Sequence, residues 1–342
     1  MTDTLRDVAL HAGVSISTAS RVLSGSSHPV AADARERVLR AAEELGFTPN
    51  AFARGLSKRE FRLIGLVIPD MRDPYFVEIA RGAEELANQR GYLTILCNTN
   101  REPDKERSYV QTLRAMRAGI ILTGGGIDRE AHLRDLATHP APVVVIGRHA
   151  LPCSSVLIDN LRGAMDATAH LIGLGRRRIA FIGGPSSSAT AADRLVGFRR
   201  AMEENGLSID EDLVVDGDFS LEGGARAARA LLRQTHAPDA IFAANDEMAL
   251  GVMREARHQG IRIPEELAIV GFNGIAATAE TDPPLTTIQL SLGRIGQIAT
   301  DLLLKQVEKK EKEQVAVTIK GELVVAGSTV PQCEELHCAK RM

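Results

Sequence analysis

The chain has 342 residues, which is too long for one ordinary hydrophobic core and predicts two or three domains. With 44% hydrophobic and 25% charged residues, its composition is that of a soluble globular protein. The net charge of -3 excludes a protein that binds polyanions over its whole surface, although a local basic patch is enough for binding. One such patch lies between Leu45 and Arg59, where three cations and no acid occur.

Cysteine spacing and apolar patterning indicate the compartment. Cys97, Cys153, Cys333 and Cys338 show no disulfide-framework spacing, which favours a reducing compartment. The start, MTDTLRDVAL, lacks the pattern of a secretory signal, and no apolar run approaches the roughly 18 residues of a membrane span. The CEELHC segment (333–338) matches no standard zinc spacing and is interpreted as tail. We therefore expect a cytoplasmic protein, and no metal or cofactor is predicted.

Residues 4–46 predict three short helices. Thr4 is expected to cap the first helix, with Asp7 in the capping-box position. Ser15 is expected to cap the second helix, which extends to about Leu23.

The third helix is expected to extend from about Ala32 to Leu45 and to end at Gly46. The residues before it offer no side-chain cap, and Asp33 in its first turn would partly compensate through the helix dipole. The residues expected to be buried are Val38, Leu39, Ala42 and Leu45.

The segment GVSISTASRVL (13–23) has the form of a helix-turn-helix recognition segment. Ala19, Val22 and Leu23 are expected to face a core, which leaves polar residues pointing outward near the amino end of the helix. Hydroxyls and a guanidinium at these positions can reach phosphates or base edges. An ordinary helical hairpin with solvated polar residues is the alternative. The candidate DNA-contacting residues are Thr4, Ser15, Ile16, Ser17, Thr18 and Arg21.

From Leu63 onward, short apolar runs alternate with amphipathic helical stretches. The runs, which suit buried parallel strands, are 63–69, 93–98, 119–124, 142–147, 178–184, 240–245 and 267–273. The helical stretches are 74–90, 104–117, 160–174, 190–205, 221–234 and 246–259. Because seven strands exceed one typical sheet, we predict two doubly wound α/β subdomains, with a ligand cleft at the carboxyl ends of their strands.

The chain also contains, in this order, TLRDVALHAGVSISTASRVLSG, ARERVLRAAEELGFTPNAFARGL, IGLVIPDMRDPYF, LGRRRIAFIGG, DRLVGFRRAM, IFAANDEMALGVMREARHQGIRIPEELAIVGFN and PPLTTI. These segments resemble the lactose-repressor (LacI/GalR) family over about residues 4–331. The resemblance implies an all-α helix-turn-helix headpiece, a hinge helix and an α/β core similar to periplasmic sugar-binding proteins. It also implies a homodimer on a pseudo-palindromic operator, with a small effector that changes DNA affinity.

The resemblance divides the chain into a headpiece, a hinge, two core subdomains and a tail. The implied limits are 1–47 for the headpiece, 48–60 for the hinge, 61–158 plus about 288–318 for the N-subdomain, 159–287 plus about 319–331 for the C-subdomain, and 332–342 for the tail. This tail is too short for the leucine-heptad bundle that makes some relatives tetramers, so a dimer is expected.

By the same resemblance, PNAFARGL (49–56) is the hinge helix, which lies with that of the second subunit in the operator's minor groove. Leu56 occupies the position of the leucine that the family wedges between base pairs to kink the DNA. Asn50, Ala53 and Arg54 would lie along the groove or the partner helix. A solvated linker, with Leu56 packed on the core, is the alternative.

The family pattern also implies an effector cleft with a guanidinium and amides for hydroxyls or a carboxylate, and with aromatic faces for a ring. Arg194 could instead be a surface cation, and Tyr75 and Phe76 could belong to the core. Asp246 is expected to cap the following helix rather than to contact a ligand. The candidate effector residues are Tyr75, Phe76, Arg194, Phe219, Asn245 and Asn273.

Two further candidates, Arg148 and Arg162, lie near the family's cleft. Asn273 stands where many sugar-responsive members have an aspartate, and Gly274 follows in place of a second acid. The loss of a carboxylate beside several arginines makes the cleft positive, which favours a sugar acid or sugar phosphate over a neutral sugar. Alternatively, Arg148 and Arg162 point to solvent, as most arginines do.

An enzyme and a transport-type solute-binding protein are the rival interpretations. The chain lacks a P-loop, a GxSxG elbow, a metal-spaced histidine pair and a dinucleotide fingerprint. The missing export signal and the attached headpiece argue against a transport protein. We therefore predict a sequence-specific DNA-binding regulator, a repressor rather than an enzyme. Its small effector would close the lobes of the core, and this closure would control folding of the hinge helix.

Overall fold

The computed structural model describes residues 4–23, 28–47, 62–124, 142–309 and 313–330. The chain divides into two compact units, Met1–Arg62 and Leu63–Met342, each of which has its own apolar core. The predicted hinge segment, 48–60, lies outside the described residues.

The described part of the amino-terminal unit contains three helices, and the side-chain caps that the sequence predicts are present at the first two. They are α1 (Leu5–His11), α2 (Ile16–Leu23) and α3 (Ala32–Glu44). The amide N–H of Thr4 donates to Asp7 Oδ2 at 2.8 Å, and the amide N–H of Asp7 donates to Thr4 Oγ1 at 3.4 Å, which completes the capping box. The amide N–H of Thr18 donates to Ser15 Oγ at 3.1 Å. As predicted, α3 has no side-chain cap.

A small apolar core joins the three helices. Val8, Ala19 and Val38, one from each helix, are fully buried. The prediction that Leu39 is buried was wrong, because its side chain is 51% exposed. Adjacent helical residues point about 100° apart, and the buried stripe follows Val38, Ala41 and Ala42 instead.

The larger unit contains two six-stranded sheets. The strands of the first sheet are β1 (Leu63–Ile68), β2 (Leu93–Asn98), β3 (Gly119–Thr123), β4 (Val143–Ile146), β5 (Ser154–Ile158) and β11 (Ala316–Ile319). Their order is β11-β5-β4-β3-β1-β2, and every pairing is parallel. The helices that pack on this sheet are α4 (Pro74–Gln89), α5 (Pro103–Ala115) and α10 (Leu292–Lys309).

The second sheet repeats this architecture with one antiparallel edge. Its strands are β6 (Ile179–Gly183), β7 (Val214–Asp216), β8 (Ala240–Ala243), β9 (Ala268–Asn273), β10 (Thr286–Gln289) and β12 (Glu322–Val324). Their order is β12-β10-β9-β8-β6-β7, with β12 antiparallel to β10. Its helices are α6 (Asn160–Gly173), α7 (Ala189–Glu204), α8 (Leu221–Leu232) and α9 (Asp246–His258). The predicted fold class, a helical headpiece with a core of two doubly wound α/β subdomains, is confirmed.

The seven predicted strands and six predicted helices of the core are present, with ends displaced by at most two residues. Five strands and one helix were not predicted, namely β5, β7, β10, β11, β12 and α10. Three of the missed strands lie at sheet edges, are three or four residues long and have no fully buried residue. They lack the continuous apolar run that marks a strand buried on both faces.

The chain passes between the two sheets three times, after β5, after β10 and after β11. At the first and third crossings, the amide N–H of Asp159 donates to the carbonyl oxygen of Ile319 at 2.9 Å. We call the first sheet with α4, α5 and α10 the first lobe, and the second sheet with α6–α9 the second lobe. Neighbouring crossings of this kind are the places at which a hinge motion of the lobes would occur.

Within the part of the chain that the structure describes, no helix is long and apolar enough to cross a membrane. Nor do the described residues contain a group of three or more His, Cys, Asp and Glu side chains that could hold a metal ion.

Candidate effector cavity and DNA-contacting surface

A cavity of about 380 Å³ lies between the two lobes, at the carboxyl ends of the parallel strands. The first lobe contributes Pro69, Asp73, Tyr75, Phe76, Arg101, Pro103, Gly124, Ile146, Gly147 and Ile158. The second lobe contributes Asn160, Pro185, Ser187, Ser188, Thr190, Arg194, Phe219, Asn245 and Asn273. The volume suits a small molecule, and the mixture of apolar walls with a few polar groups is typical of ligand sites.

Several helices begin at this cavity. Asp73, Ser188 and Asn245 line the cavity and cap α4, α7 and α9, respectively. Asn160 lines it as the first residue of α6. Because the amino end of a helix carries a partial positive charge, these helices add to a positive potential inside the cavity.

Arg194 lies at the base of the cavity and is only 2% exposed. Its Nε–H donates to Asn160 Oδ1 at 2.9 Å, and its Nη2 donates to Asn273 Oδ1 at 3.2 Å. Nη1 donates to the carbonyl oxygen of Ala244. The guanidinium also stacks on the ring of Phe272, 3.6 Å from the ring centroid. Arg194 is therefore a positioned cavity residue rather than a surface cation.

The charge of Arg194 has no carboxylate partner within ion-pair distance among the described residues. All three of its acceptors are neutral oxygens, two of them from asparagine side chains. Burial lowers the pKa of Arg194 to about 10, so the guanidinium still carries its charge at neutral pH. Asn273 accepts from Arg194 with a left-handed backbone, at φ +119°, a conformation that L-residues rarely adopt.

Three aromatic rings form part of the cavity wall. Tyr75 and Phe76 meet edge to face, with their ring centroids 5.0 Å apart. Burial raises the pKa of Tyr75 to about 12, which keeps its hydroxyl protonated and able to donate a hydrogen bond. Phe219 adopts a left-handed backbone at φ +64° and packs on Gly184, where any Cβ would meet the ring at 2.2 Å. Glycine at position 184 therefore gives Phe219 its place beside the cavity.

The helix cap that the sequence predicts at Asp246 is instead made by Asn245. Asn245 Oδ1 accepts from the amide N–H of Met248 at 3.0 Å, and its Nδ2 donates to the carbonyl oxygen of Phe219 at 3.1 Å. Asp246 is fully buried and accepts from Thr287 Oγ1 at 2.6 Å and from the amide N–H of Ile275 at 2.9 Å. Asn245 takes the cap because it is the last extended residue before α9, whereas Asp246 is the first residue of the helix.

Arg148 and Arg162 do not line the cavity, unlike the other six candidate effector residues. Arg162 Nε lies 2.9 Å from Asp166 Oδ1, four residues further along α6. Arg148 Nη2 lies 3.1 Å from Asp193 Oδ1. The structure therefore places both arginines outside the cavity lining, each beside an aspartate.

The sequence analysis missed some polar residues of the cavity, notably Asp73, Arg101, Asn160 and Thr190. Asp73 could have been found from its position directly before a predicted helix that follows a predicted buried strand. Arg101 follows β2 in a left-handed conformation, at φ +63°, and no sequence pattern predicts that geometry for an arginine. Its exposed side chain makes Arg101 the second cation of the lining.

In the amino-terminal unit, α2 presents polar side chains on its outer face. Ser15 Oγ lies 2.8 Å from both Ser17 Oγ and Thr18 Oγ1, so these hydroxyls form one cluster at the start of the helix. Ile16 is 50% exposed, and Arg21 is also exposed. The candidates of α2 are thus exposed or partly exposed at the start and along the outer face of the helix, and Thr4 lies in the capping box of α1. The remaining DNA-contacting candidates, Asn50, Ala53, Arg54 and Leu56, lie outside the described residues.

A helix-turn-helix unit in the same chain as a two-lobed α/β core is the organisation of a DNA-binding transcriptional regulator. Residues 4–50 match the family described as "Bacterial regulatory proteins, lacI family". Residues 62–326 match the family described as "Periplasmic binding proteins and sugar binding domain of LacI family". The chain belongs to the LacI family, and it is a regulator rather than an enzyme.

Individual relatives align over nearly the whole chain. The transcriptional regulator DegA of Bacillus subtilis is 36% identical over 336 residues, which cover 97% of this chain and 99% of DegA. The transcriptional repressor CytR of Escherichia coli is 35% identical over 329 residues, which cover 95% of this chain and 96% of CytR. The structure of the lac repressor dimer bound to operator and the anti-inducer ONPF has a TM-score of 0.85 and 29% identity, covering 96% of this chain and 99% of that chain.

Proposed function

We propose that this chain is a transcriptional repressor that binds a pseudo-palindromic operator as a homodimer and whose operator affinity is set by a small effector in the cavity between the lobes. The exposed hydroxyl cluster of α2 supports the DNA-contacting role, and the cavity supports the effector role. Similar proteins fit this assignment, among them a ribose operon repressor that is 38% identical over 330 residues. A carbohydrate-derived effector is therefore the class to test.

Within that class, we favour an acidic effector, such as a sugar acid or a sugar phosphate. The observation that carries this preference is Arg194, a buried cation whose three protein partners are neutral. A ligand carboxylate or phosphate would accept charge-assisted hydrogen bonds from this guanidinium in a low-dielectric site. Arg101 at the wall and the amino ends of the surrounding helices add attraction of the same sign.

A neutral sugar is the second candidate, and Asp73 favours it. This residue lines the cavity, and burial raises the pKa of its carboxyl group. When ionised, Asp73 would repel an anion and accept hydrogen bonds from sugar hydroxyls. The transcriptional regulator CelR has been solved in complex with the neutral sugar cellobiose, and its structure matches this one with a TM-score of 0.72 and 32% identity.

Effector binding would act on DNA affinity by changing the spacing of the lobes. Residues 48–60 would form a hinge helix in the minor groove, where Leu56 enters the base stack and Asn50, Ala53 and Arg54 lie along the groove. An isolated helix this short is marginal in water, and Gly55 weakens it by about 1 kcal/mol relative to alanine. A hinge that folds only on DNA gives lobe movement a segment on which to act.

A thermal-shift screen followed by calorimetry tests the effector assignment. Sugars, sugar acids, sugar phosphates and nucleobases are compared, because a ligand that binds the native state raises the melting temperature by mass action. We expect gluconate-type acids to bind more tightly than the matched neutral hexoses. Selective tight binding of a neutral hexose would overturn the acidic preference while leaving the cavity as the effector site.

Deletion of residues 1–60 separates the two activities. The truncated chain is expected to lose operator binding in a gel shift and to keep its effector affinity. A loss of effector affinity on deletion would contradict a cavity built from the core alone.

A further inference from the structure

Arg148 and Asp193 form an ion pair that joins the two lobes. Arg148 lies in the connection between β4 and β5 of the first lobe, next to Gly147 of the cavity wall. Asp193 lies on α7 of the second lobe, next to Arg194 of the cavity base. The distance between Arg148 Nη2 and Asp193 Oδ1 is 3.1 Å, so the contact bridges the two lobes beside residues that line the cavity.

Two other ion pairs of the core link elements within one lobe. In the first lobe, Arg90 at the end of α4 contacts Asp301 on α10. In the second lobe, Arg229 on α8 contacts Glu255 on α9. Such pairs keep their geometry when a lobe moves as a rigid body, whereas the Arg148–Asp193 distance must change with the spacing of the lobes.

We propose that Arg148 and Asp193 are a positioning pair that holds the lobes at the spacing seen here and thereby sets the equilibrium between closed and open cores. The side chain of Arg148 is 51% exposed and that of Asp193 is 30% exposed, so water and salt screen their attraction. A pair of this kind changes the ratio of two states by about two- to fivefold. A bias of this size is enough to tune a switch without locking it.

The consequence for regulation rests on the proposed function. If the effector binds the closed core, the pair lowers the free energy needed to close the lobes. The regulator then responds at lower effector concentrations. The effect on lobe spacing itself does not depend on any effector and is measured without one.

Arg162 and Asp166 supply a matched control. They are also an arginine–aspartate pair beside the cavity region, at 2.9 Å, with side-chain exposures of 67% and 35%. Both residues lie on α6, so this pair cannot report on the spacing of the lobes.

The test measures the distance between the lobes by pulsed electron spin resonance on the full-length, ligand-free protein. Spin labels are attached through non-natural amino acids at Gln111 on α5 and Glu204 on α7, which are exposed positions of the first and second lobe. Dilution with unlabelled protein restricts the signal to distances within one chain.

Reversal of either charge, by Arg148→Glu or Asp193→Arg, is expected to move the population about two- to fivefold towards longer distances. The double variant Arg148→Glu/Asp193→Arg restores the original distribution, and Arg162→Glu leaves it unchanged. High salt shifts the unsubstituted protein in the direction of the single variants. An unchanged distribution in both single variants, or a double variant that fails to recover, would overturn the proposal.

Discussion

At the scale of single residues, Arg194 is the centre of the candidate effector site. Its guanidinium donates three hydrogen bonds to neutral acceptors and stacks on Phe272, so its position is fixed before any ligand binds. A preorganised cation of this kind loses little entropy on binding an anion. The planar fork matters as much as the charge, because one ammonium group cannot reach three separated acceptors.

Arg194→Lys is therefore expected to reduce both the stability of the core and its affinity for an acidic effector. At least one buried acceptor loses its donor, which costs about 1–3 kcal/mol of unfolding free energy. Urea denaturation measures the loss, and calorimetry with the acid found in the ligand screen measures the affinity. Arg162→Lys, at an exposed pair on α6, serves as control and should stay within about 0.5 kcal/mol of the unsubstituted protein. Equal stability and affinity for the two variants would argue against the role of Arg194.

Asp246 gives a prediction about pH. Burial raises the pKa of this carboxyl group from 3.8 to about 6. A raised pKa in the folded state means that the unfolded chain gives up its proton first, so stability from this group is present below pH 4 and is lost as the pH rises through 6. We expect the unfolding free energy of Asp246→Asn, relative to the unsubstituted protein, to rise by about 2–3 kcal/mol between pH 4 and 7.

Denaturation in urea at several pH values checks the Asp246 prediction. The measured quantity is the difference in unfolding free energy between the two proteins, from which the contributions of all other carboxylates cancel. A difference that is flat between pH 4 and 7 would show that Asp246 titrates as it does in the unfolded chain.

At the scale of elements, sequence pattern predicted the helices and the buried strands of the core but not its edges. The fully buried β1, β3 and β4 were visible as continuous apolar runs. The three-residue β7 and β12 depend on neighbouring strands for their hydrogen bonds, and no local pattern distinguishes them from loops. The helix α10 was missed because two glycines interrupt its first turns, although it packs against α4 and buries Ile295 and Leu303.

The candidate site was predictable only in part, for a related reason. Aromatic and amide residues such as Phe219 and Asn245 lie in sequence segments that match the family pattern. By contrast, the side chain of Arg148 pairs with Asp193, a residue far away in the sequence that only the folded structure brings close. Sequence places an arginine near a cleft, but its nearest carboxylate decides which way it points.

The hinge segment carries the element-scale prediction. Leu56→Ala is expected to lower operator affinity and to reduce DNA bending, since a smaller side chain cannot hold a base step open. Stability of the helical headpiece and effector affinity should be nearly unchanged, because the hinge prediction assigns Leu56 to the contact with DNA and position 56 lies outside α1–α3. Gel-based or energy-transfer measurements of DNA bending test this prediction. Unaltered bending would contradict the insertion of Leu56 between base pairs.

At the scale of the whole molecule, two separately folded units must exchange free energy if the chain is to work as a switch. The amino-terminal unit and the larger unit each have their own core. In the mechanism proposed above, the exchange depends on how lobe spacing influences the segment between them. Linkage requires that this influence be reciprocal: an effector that weakens operator binding by some factor must itself bind more weakly, by the same factor, when operator is present.

The most direct test is therefore to measure effector affinity by calorimetry with and without saturating operator DNA. The operator is first obtained by in vitro selection, and the effector is the ligand that raises the melting temperature. The account predicts that operator changes effector affinity by the same factor, in the range of about 5- to 150-fold, by which effector changes operator affinity. An effector affinity that is identical in the presence and absence of operator would contradict it.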